Sequence, residues 1–404
     1  MAIRFMYDNI WDLAGTDLTA GSEATGFPKE NTQHIWSTRH WRSTDLDDGF
    51  SIDIGEVLTD GRMEEWLDSS DLTYWTEQVE GGSAVAREDS IKQGGNYSCR
   101  LIIDASNNKA SVHQGFNMIS HHTYLLSGWY INSVASKTAR ITISDNQDNI
   151  FLNSEGTWQD EFCYIVLENS TTWKEYKLKF NAHGSYTTYK IAIRNHSAAS
   201  SSIYLDNFYI NFAVEAIIIK YHNLRPGQAT ITLKGDNFSS MTTPPLSESL
   251  TVTKNLIIKF LDEQENYQYY KIEAQDSGNP DGYIRMGRIY LGSHFEPERN
   301  YSQPHMKQSI DPSIKRYSAG GQVSICERES YIQIPYDFRS IALADIPRFK
   351  TMWNIIKQST PYFVCEIPSS EPYLTTYYVI NSDPWSIEEM STKGSLLVNC
   401  ETMR

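Results

Sequence analysis

Ser51 to Leu58 reads SIDIGEVL, and Val214 to Leu233 reads VEAIIIKYHNLRPGQATITL. Both stretches are strand-like, and the residues between them carry the pattern of a complete β-domain. The two flanks read as consecutive strands of one β-sandwich, with a second domain set into their connection. Exposed turns tolerate such insertions. Val214 to Ile219 is apolar at nearly every position, as in a strand covered on both faces. Further on, Ala229, Ile231 and Leu233 alternate with Thr230, Thr232 and Lys234, and Asn255 to Phe260 (NLIIKF) and Tyr269 to Ala274 (YYKIEA) follow. Period-two alternation marks half-buried antiparallel strands.

Residues 63–212 carry the same signal independently. Ser111 to Phe116 (SVHQGF), Tyr124 to Ile131 (YLLSGWYI), Ala139 to Ser144 (ARITIS), Trp173 to Phe180 (WKEYKLKF), Tyr189 to Arg194 (YKIAIR) and Ser202 to Ile210 (SIYLDNFYI) are short strands between turn signals. No long helical period interrupts them, which predicts a sandwich or jelly roll. The best helix is Asp345 to Gln358 (DIPRFKTMWNIIKQ), with Ile346, Phe349, Trp353 and Ile356 on one face, Asp345 as its cap and Pro347 in its first turn. Strands are expected after it at Tyr362–Ile367, Thr375–Ile380 and Leu396–Cys400, with the helix packed on them. The chain is thus expected to be mainly β. Residues 1–62 and 213–303 form a discontinuous sandwich, 63–212 an inserted jelly roll, and 304–404 a small α+β region.

Composition narrows the function classes. The chain has 404 residues and a formal charge of −15. Lys and Arg are dispersed, so no basic patch is available to neutralise phosphates, and nucleic acid is not an expected partner. Met1 to Ile10 lacks the apolar core of a signal peptide, and no stretch approaches the ~20 apolar residues of a membrane span. A soluble chain without membrane insertion is expected. Cys99, Cys163, Cys326, Cys365 and Cys400 are odd in number, widely spaced and lack a C-x-x-C, so free thiols are expected rather than a disulfide framework or zinc site. There is no nucleophile elbow, H-E-x-x-H, P-loop or dinucleotide fingerprint. Adjacent acids such as Glu64-Glu65 and Asp47-Asp48 point to opposite faces of a strand and make no acid/base pair. No catalytic residue is assigned.

The flanking sequence resembles a known group. Asn31, Trp41-Arg42-Ser43 and Phe50 to Gly55, then Ile217 to Ile219, Tyr270 to Ile272, and above all Asn279 to Gly292 (NPDGYIRMGRIYLG) with Pro297 and Asn300, resemble the discoidin-like sandwich of phage tail-tip and baseplate proteins. Asn-Pro-Asp-Gly by itself is also a good tight turn. The resemblance covers roughly residues 1–60 and 213–404. It implies a non-enzymatic structural subunit of the virion, made in the host cytoplasm and packed in a ring with copies of itself and other tail proteins. The alternative is a secreted or surface carbohydrate-binding adhesion protein of a bacterium. A third class, a polysaccharide-degrading enzyme, lacks a segment long enough for a catalytic domain.

The insert resembles carbohydrate-binding modules of the family 4 and 9 type. Its landmarks are Met63 to Trp66 with Trp75, Gly95-Asn96-Tyr97-Ser98, Val112-His113-Gln114, Tyr124 to Trp129, Trp173 to Tyr176, and Tyr204 to Asn207; Gly61-Arg62 stands where that family usually has Asn-Gly. The resemblance implies contact with host-surface polysaccharide and, through Glu64 and Asp206, a structural calcium. Sugar sites need aromatic platforms and a few placed polar groups. Gln114, Trp129, Trp158 and Arg194 are the candidates. Trp158 lies in the polar stretch EGTWQDE and is expected to be exposed, and Trp129 is expected in the sandwich core.

Overall fold

The computed structural model describes residues 3–13, 17–35, 38–104, 108–133, 138–196, 200–254, 256–302, 306–389 and 393–403. The chain forms two compact units. One comprises Met1–Asp53, Val214–Glu263 and Tyr269–Arg404, and the other Ile54–Ala213 and Gln264–Gln268. Both are built almost wholly from antiparallel sheets.

The first unit contains a ten-stranded and a five-stranded sheet. Val214–Lys220 is an inner strand of the larger one, between Leu256–Glu265 and Ile289–Phe295, and Val214 to Ile219 are all buried. The sequence VEAIII is therefore the covered strand that its composition predicts. Glu215, buried in this strand, accepts a hydrogen bond from the His294 amide at 3.0 Å. Asp47–Asp53 lies in the five-stranded sheet, between Asp17–Ala20 and Tyr269–Gln275. The second opening stretch is thus split: Val214–Lys220 lies in the larger sheet, while Thr230 to Leu233 belongs to Thr230–Asp236, a strand of the same five-stranded sheet as Asp47–Asp53, and neither pairs directly with Asp47–Asp53. Alternation alone cannot distinguish a neighbouring strand from one in another sheet. Asn255, expected to begin a strand, and residues 36–37 of the tract 31–53 lie outside the described residues.

The most specific landmark has a clear structural role. The turn of NPDGYI closes through Gly282 N to Asn279 O (3.1 Å), with Gly282 at φ +73°. It delivers Arg285–Met286 to pair with Trp41–Arg42. Ser43 and Ile284 lock this two-stranded ribbon, the Ser43 amide donating to Ile284 O and the Ile284 amide to Ser43 Oγ at 2.8 Å. The Arg42 guanidinium lies 3.6 Å from the Tyr283 ring centroid. Trp41 is fully buried 4.4 Å from the ring of Phe50 and donates its indole N–H to Ser22 O.

The last hundred residues, read from sequence as a separate region, continue the ten-stranded sheet. Tyr362–Cys365 pairs with Arg4–Asn9, and Thr376–Asn381, Gly394–Thr402 and Tyr331–Ile341 extend outward from it. The helix runs Ile346–Ile356 and buries Ile346, Phe349, Met352 and Ile356 against Phe5, Tyr336, Phe338 and Tyr362. Trp353 is only half-buried. Asp345 makes no side-chain cap, because a 3-10 turn at Leu343–Asp345 precedes the helix and its carboxylate instead accepts from the Glu298 amide at 2.7 Å.

The second unit is a two-sheet sandwich. Its strands are β1 (Thr76–Val79), β2 (Ala84–Glu88), β3 (Ser98–Ile103), β4 (Ala110–Asn117), β5 (Thr123–Asn132), β6 (Thr138–Asp145), β7 (Phe151–Leu152), β8 (Trp158–Gln159), β9 (Ile165–Val166), β10 (Lys174–Asn181), β11 (Thr188–His196) and β12 (Ser201–Phe212). One sheet has the order β8-β7-β6-β11-β4-β1, with β9 also on β6, and the other β10-β5-β12-β3-β2. From β3 to β6, successive strands alternate between sheets, as in a jelly roll. Inward residues are apolar on both sheets: Val112, Ile141, Ile143, Ile191 and Ile193 on one, and Leu101, Leu126, Tyr130, Leu205 and Ile210 on the other. Asn195 links the sheets by donating to Leu101 O at 2.9 Å.

Candidate functional site

Period-two geometry decides what β6 and β11 present to solvent. With Ile141, Ile143, Ile191 and Ile193 facing the core, Arg140, Thr142 and Ser144 and then Lys190, Ala192 and Arg194 must face outward. The register places Arg140 opposite Arg194, Thr142 opposite Ala192 and Ser144 opposite Lys190. On the far side of β11, Ala192 faces His113 and Lys190 faces Gly115 of β4. Small side chains in the middle and long ones at the sides leave a cleft of about 260 Å³ lined by Thr142, Ser144, Asp148, Phe151, Phe162, Lys190, Ala192 and Arg194.

The chemistry of its wall is mixed. Phe162 is 63 % exposed at the rim, its ring edge-to-face with Phe151 at 5.1 Å. The Asp148 carboxylate is held by Lys190 Nζ (2.6 Å) and Ser144 Oγ (2.8 Å). His113 is kept below its usual pKa, by partial burial first and then by the positive charges of Arg194 and Lys190. Aromatic surface beside unspent polar groups is the combination a small polar ligand with an apolar face requires.

Of the four expected sugar-contact residues, only Arg194 lies in this cleft. Gln114 is buried on the inner side of β4, and its amide is fully occupied. Nε2 donates to Thr59 O (2.9 Å) and Tyr74 O (2.8 Å), while Oε1 accepts from the Thr59 amide (2.9 Å). It is a latch for the segment before β1. Trp158 is not an exposed platform: β8 pairs it with the buried Leu152, so the indole turns inward. It rests 5.3 Å from the Tyr189 ring and donates to Asn181 O at 2.7 Å. Trp129 is not in the core either. It sits half-buried on the outer face of the opposite sheet, between Glu175 and Asp206. Sequence reasoning missed Arg140 and Phe162; the alternation in ARITIS does mark Arg140 as outward.

Glu64 and Asp206 do converge. Both grip the loop before β3, Glu64 Oε1 accepting from the amides of Asn96 (2.8 Å) and Tyr97 (3.2 Å), and Asp206 Oδ2 from those of Gln93 (2.8 Å) and Gly94 (3.1 Å). Gly95 has φ +60°, and a Cβ there would lie 1.8 Å from Glu64 Oε1, so the close approach requires glycine. Asp206 is wholly buried and its Oδ1 has no hydrogen-bond partner. Burial raises its pKa to about 6 against the two amide bonds, and the neighbouring Glu64 charge adds to the rise. A buried oxygen left over beside a second carboxylate suits a hard cation, although calcium takes six or more oxygens. Among the described residues no group of three or more His, Cys, Asp or Glu converges, so carbonyls or water would have to complete such a shell. Also among these residues, no helix is long and apolar enough to cross a membrane, and the five cysteines are unpaired, with Cys99, Cys365 and Cys400 buried, Cys163 half-buried and Cys326 exposed.

No protein-family profile and no curated protein matches the chain. Similar solved structures include a family 61 carbohydrate-binding module in complex with β-1,4-galactotriose (16% identity, TM-score 0.30, covering 39% of this chain and 97% of that one). A family 16 carbohydrate-binding module aligns at 15% identity and TM-score 0.29, over 38% of this chain and 98% of its own. The enzymatically active domain of bacteriophage CBA120 tailspike protein 4 aligns at 14% identity and TM-score 0.30, over 38% of this chain but 21% of its own.

Proposed function

We propose that the second unit is a glycan-binding module and that the chain is a non-catalytic structural subunit of a phage tail tip or baseplate. The observation that carries the glycan reading is the cleft on the β6–β11 face, with Phe162 at its rim and the unspent guanidinium of Arg194 in its wall. Binding without turnover fits its carboxylates. Glycoside hydrolysis uses a pair of them about 5–9.5 Å apart, and the residues lining this cleft include only Asp148, already held by Lys190 and Ser144. Glu64 and Asp206 would hold a calcium ion, which would fix the loop before β3 by neutralising two adjacent carboxylates.

The tail reading rests on the resemblance, whose residues from both ends of the scaffold meet in the ribbon Trp41–Arg42 and Arg285–Met286. Its ring of copies draws support from the hairpin Ile314–Tyr317 and Val323–Cys326, which pairs with no other strand among the described residues. Lone two-stranded hairpins are marginal in water, and this one exposes Tyr317, Val323 and Ile325 on one face. Such an arm suits a repeated contact with a neighbouring copy.

Two measurements test the proposal. Full-length chain, multimerised on beads to raise avidity, should be retained by cell-surface polysaccharide without releasing reducing sugar. Labelled antibody should decorate the tail tip of purified virions. Binding to no polysaccharide refutes the first half, and absence from virions the second.

A further inference from the structure

Arg194 in the cleft wall and Arg140 beside it on the neighbouring strand give this face of the sheet more positive charge than its residues neutralise. Arg140 and Arg194 are directly opposed on neighbouring strands, and like charges so placed destabilise a sheet. Neither has a carboxylate partner among the described residues. The Nε atoms of both are buried without a hydrogen-bond acceptor, and the Arg140 guanidinium lies over the Tyr164 ring at 3.9 Å. His113 stands across β11 from Thr142, and the nearby cation Lys190 is already spent on Asp148. This is the reverse of the chain as a whole, with its charge of −15. Partly buried donors that lack acceptors, set side by side with the same sign, are costly unless something anionic meets them.

We infer that the cleft takes an acidic glycan, one whose sugars carry carboxylate or sulfate groups, with an anionic group seated on Arg194 and Arg140 and a sugar face against Phe162. The planar guanidinium fork matches both kinds of anion and forms paired, charge-assisted hydrogen bonds with them. A neutral sugar offers hydroxyl acceptors but leaves the opposed charges unrelieved. The exposed Phe162 ring distinguishes this site from a bare anion site, because it supplies the apolar surface on which a pyranose rests. The inference rests on the glycan-binding reading and adds the charge of the ligand to it.

The test uses the full chain and four immobilised polymers: polygalacturonate for carboxylate, chondroitin sulfate for sulfate, and galactan and xylan as neutral arms. At low salt, one or both acidic polymers should bind at least ~10-fold more tightly than the neutral ones, and the difference should shrink as salt screens it. Arg194→Gln and Arg140→Gln should each lower acidic binding by ~10-fold or more, without lowering the melting temperature, since each removes half of a repulsive pair. A substitution of Lys271→Gln on the other unit should leave binding unchanged. Neutral polymers binding as tightly as acidic ones, with Arg194→Gln silent, would overturn the inference and leave the glycan reading standing. No binding to any polymer removes both. A single-stranded oligonucleotide bound as tightly as the acidic glycans would also overturn it, because charge alone would then account for the affinity.

Discussion

Replacing Asp206 by Asn should make the metal-free protein more stable at neutral pH. The wild-type carboxylate is wholly buried, one oxygen lacks a partner, and its pKa stands at about 6 against an ordinary 3.8. That gap corresponds to about 3 kcal/mol between its two protonation states. Because the folded state holds the proton more tightly than the unfolded one, this carboxyl favours folding at low pH. Its contribution falls as pH rises from 3.8 to about 6 and is flat above. The amide side chain keeps an acceptor for the backbone N–H groups of Gln93 and Gly94 and drops the charge. In chelator at about pH 7.5, the Asp206→Asn variant should therefore gain up to about 3 kcal/mol, or roughly 6–12 °C in the unfolding transition of a unit this size. The gain should vanish below about pH 4. Calcium should reverse the order: at about 100 times its dissociation constant it adds about 2.7 kcal/mol to the wild type and much less to the variant. Scanning calorimetry of both chains at several pH values, with chelator and with calcium, reads all of this. A variant that melts at or below the wild type at neutral pH in chelator refutes the electrostatic argument. A wild type that ignores calcium refutes the metal site alone.

Gln114→Ala should cost about 2–4 kcal/mol in urea unfolding, because it strands backbone groups of Thr59 and Tyr74, while leaving affinity for any bound polysaccharide unchanged. Gly95→Ala should destabilise by about 1–3 kcal/mol, through positive φ and collision with Glu64; an unchanged melting temperature would show that the loop relaxes freely. Trp41→Ala should cost about 3–5 kcal/mol by emptying a fully buried site beside Phe50, measured by the same urea titration. Tyr317→Ser with Ile325→Ser should change stability by less than about 0.5 kcal/mol, yet should abolish concentration-dependent self-association in sedimentation; association equal to wild type would exclude the hairpin as the contact.

Local pattern decided much of this protein from the sequence. Alternation in ITL, YKIEA, ARITIS and YKIAIR identified strands and their buried sides, because side-chain period is a property of the strand itself. The stretch VEAIII, apolar at every position but Glu215, announced a strand with neighbours on both sides. The turn Asn279 to Gly282 was legible because few residues adopt its backbone angles.

What the sequence could not supply was adjacency. Both opening stretches hold strands, but only the fold sends Val214–Lys220 to the larger sheet while Thr230–Asp236 shares the smaller one with Asp47–Asp53. Residues 304–404 look separate along the chain because the strand that joins them to the sheet, Tyr362–Cys365, pairs with Arg4–Asn9, nearly the whole chain away. Trp158 sits among polar residues yet turns inward, since its register with Leu152 outweighs its sequence context. Trp129 and Gln114 exchanged their expected surroundings for the same reason: a strand has two faces, and which one is inside depends on the partner sheet. Arg140 and Arg194 lie more than fifty residues apart; Arg194 alone stood out as a candidate sugar contact, and Arg140 alone is an unremarked cation on an outward face. Their opposition across β6 and β11, and the unbalanced charge that follows from it, exist only once the strands are in register.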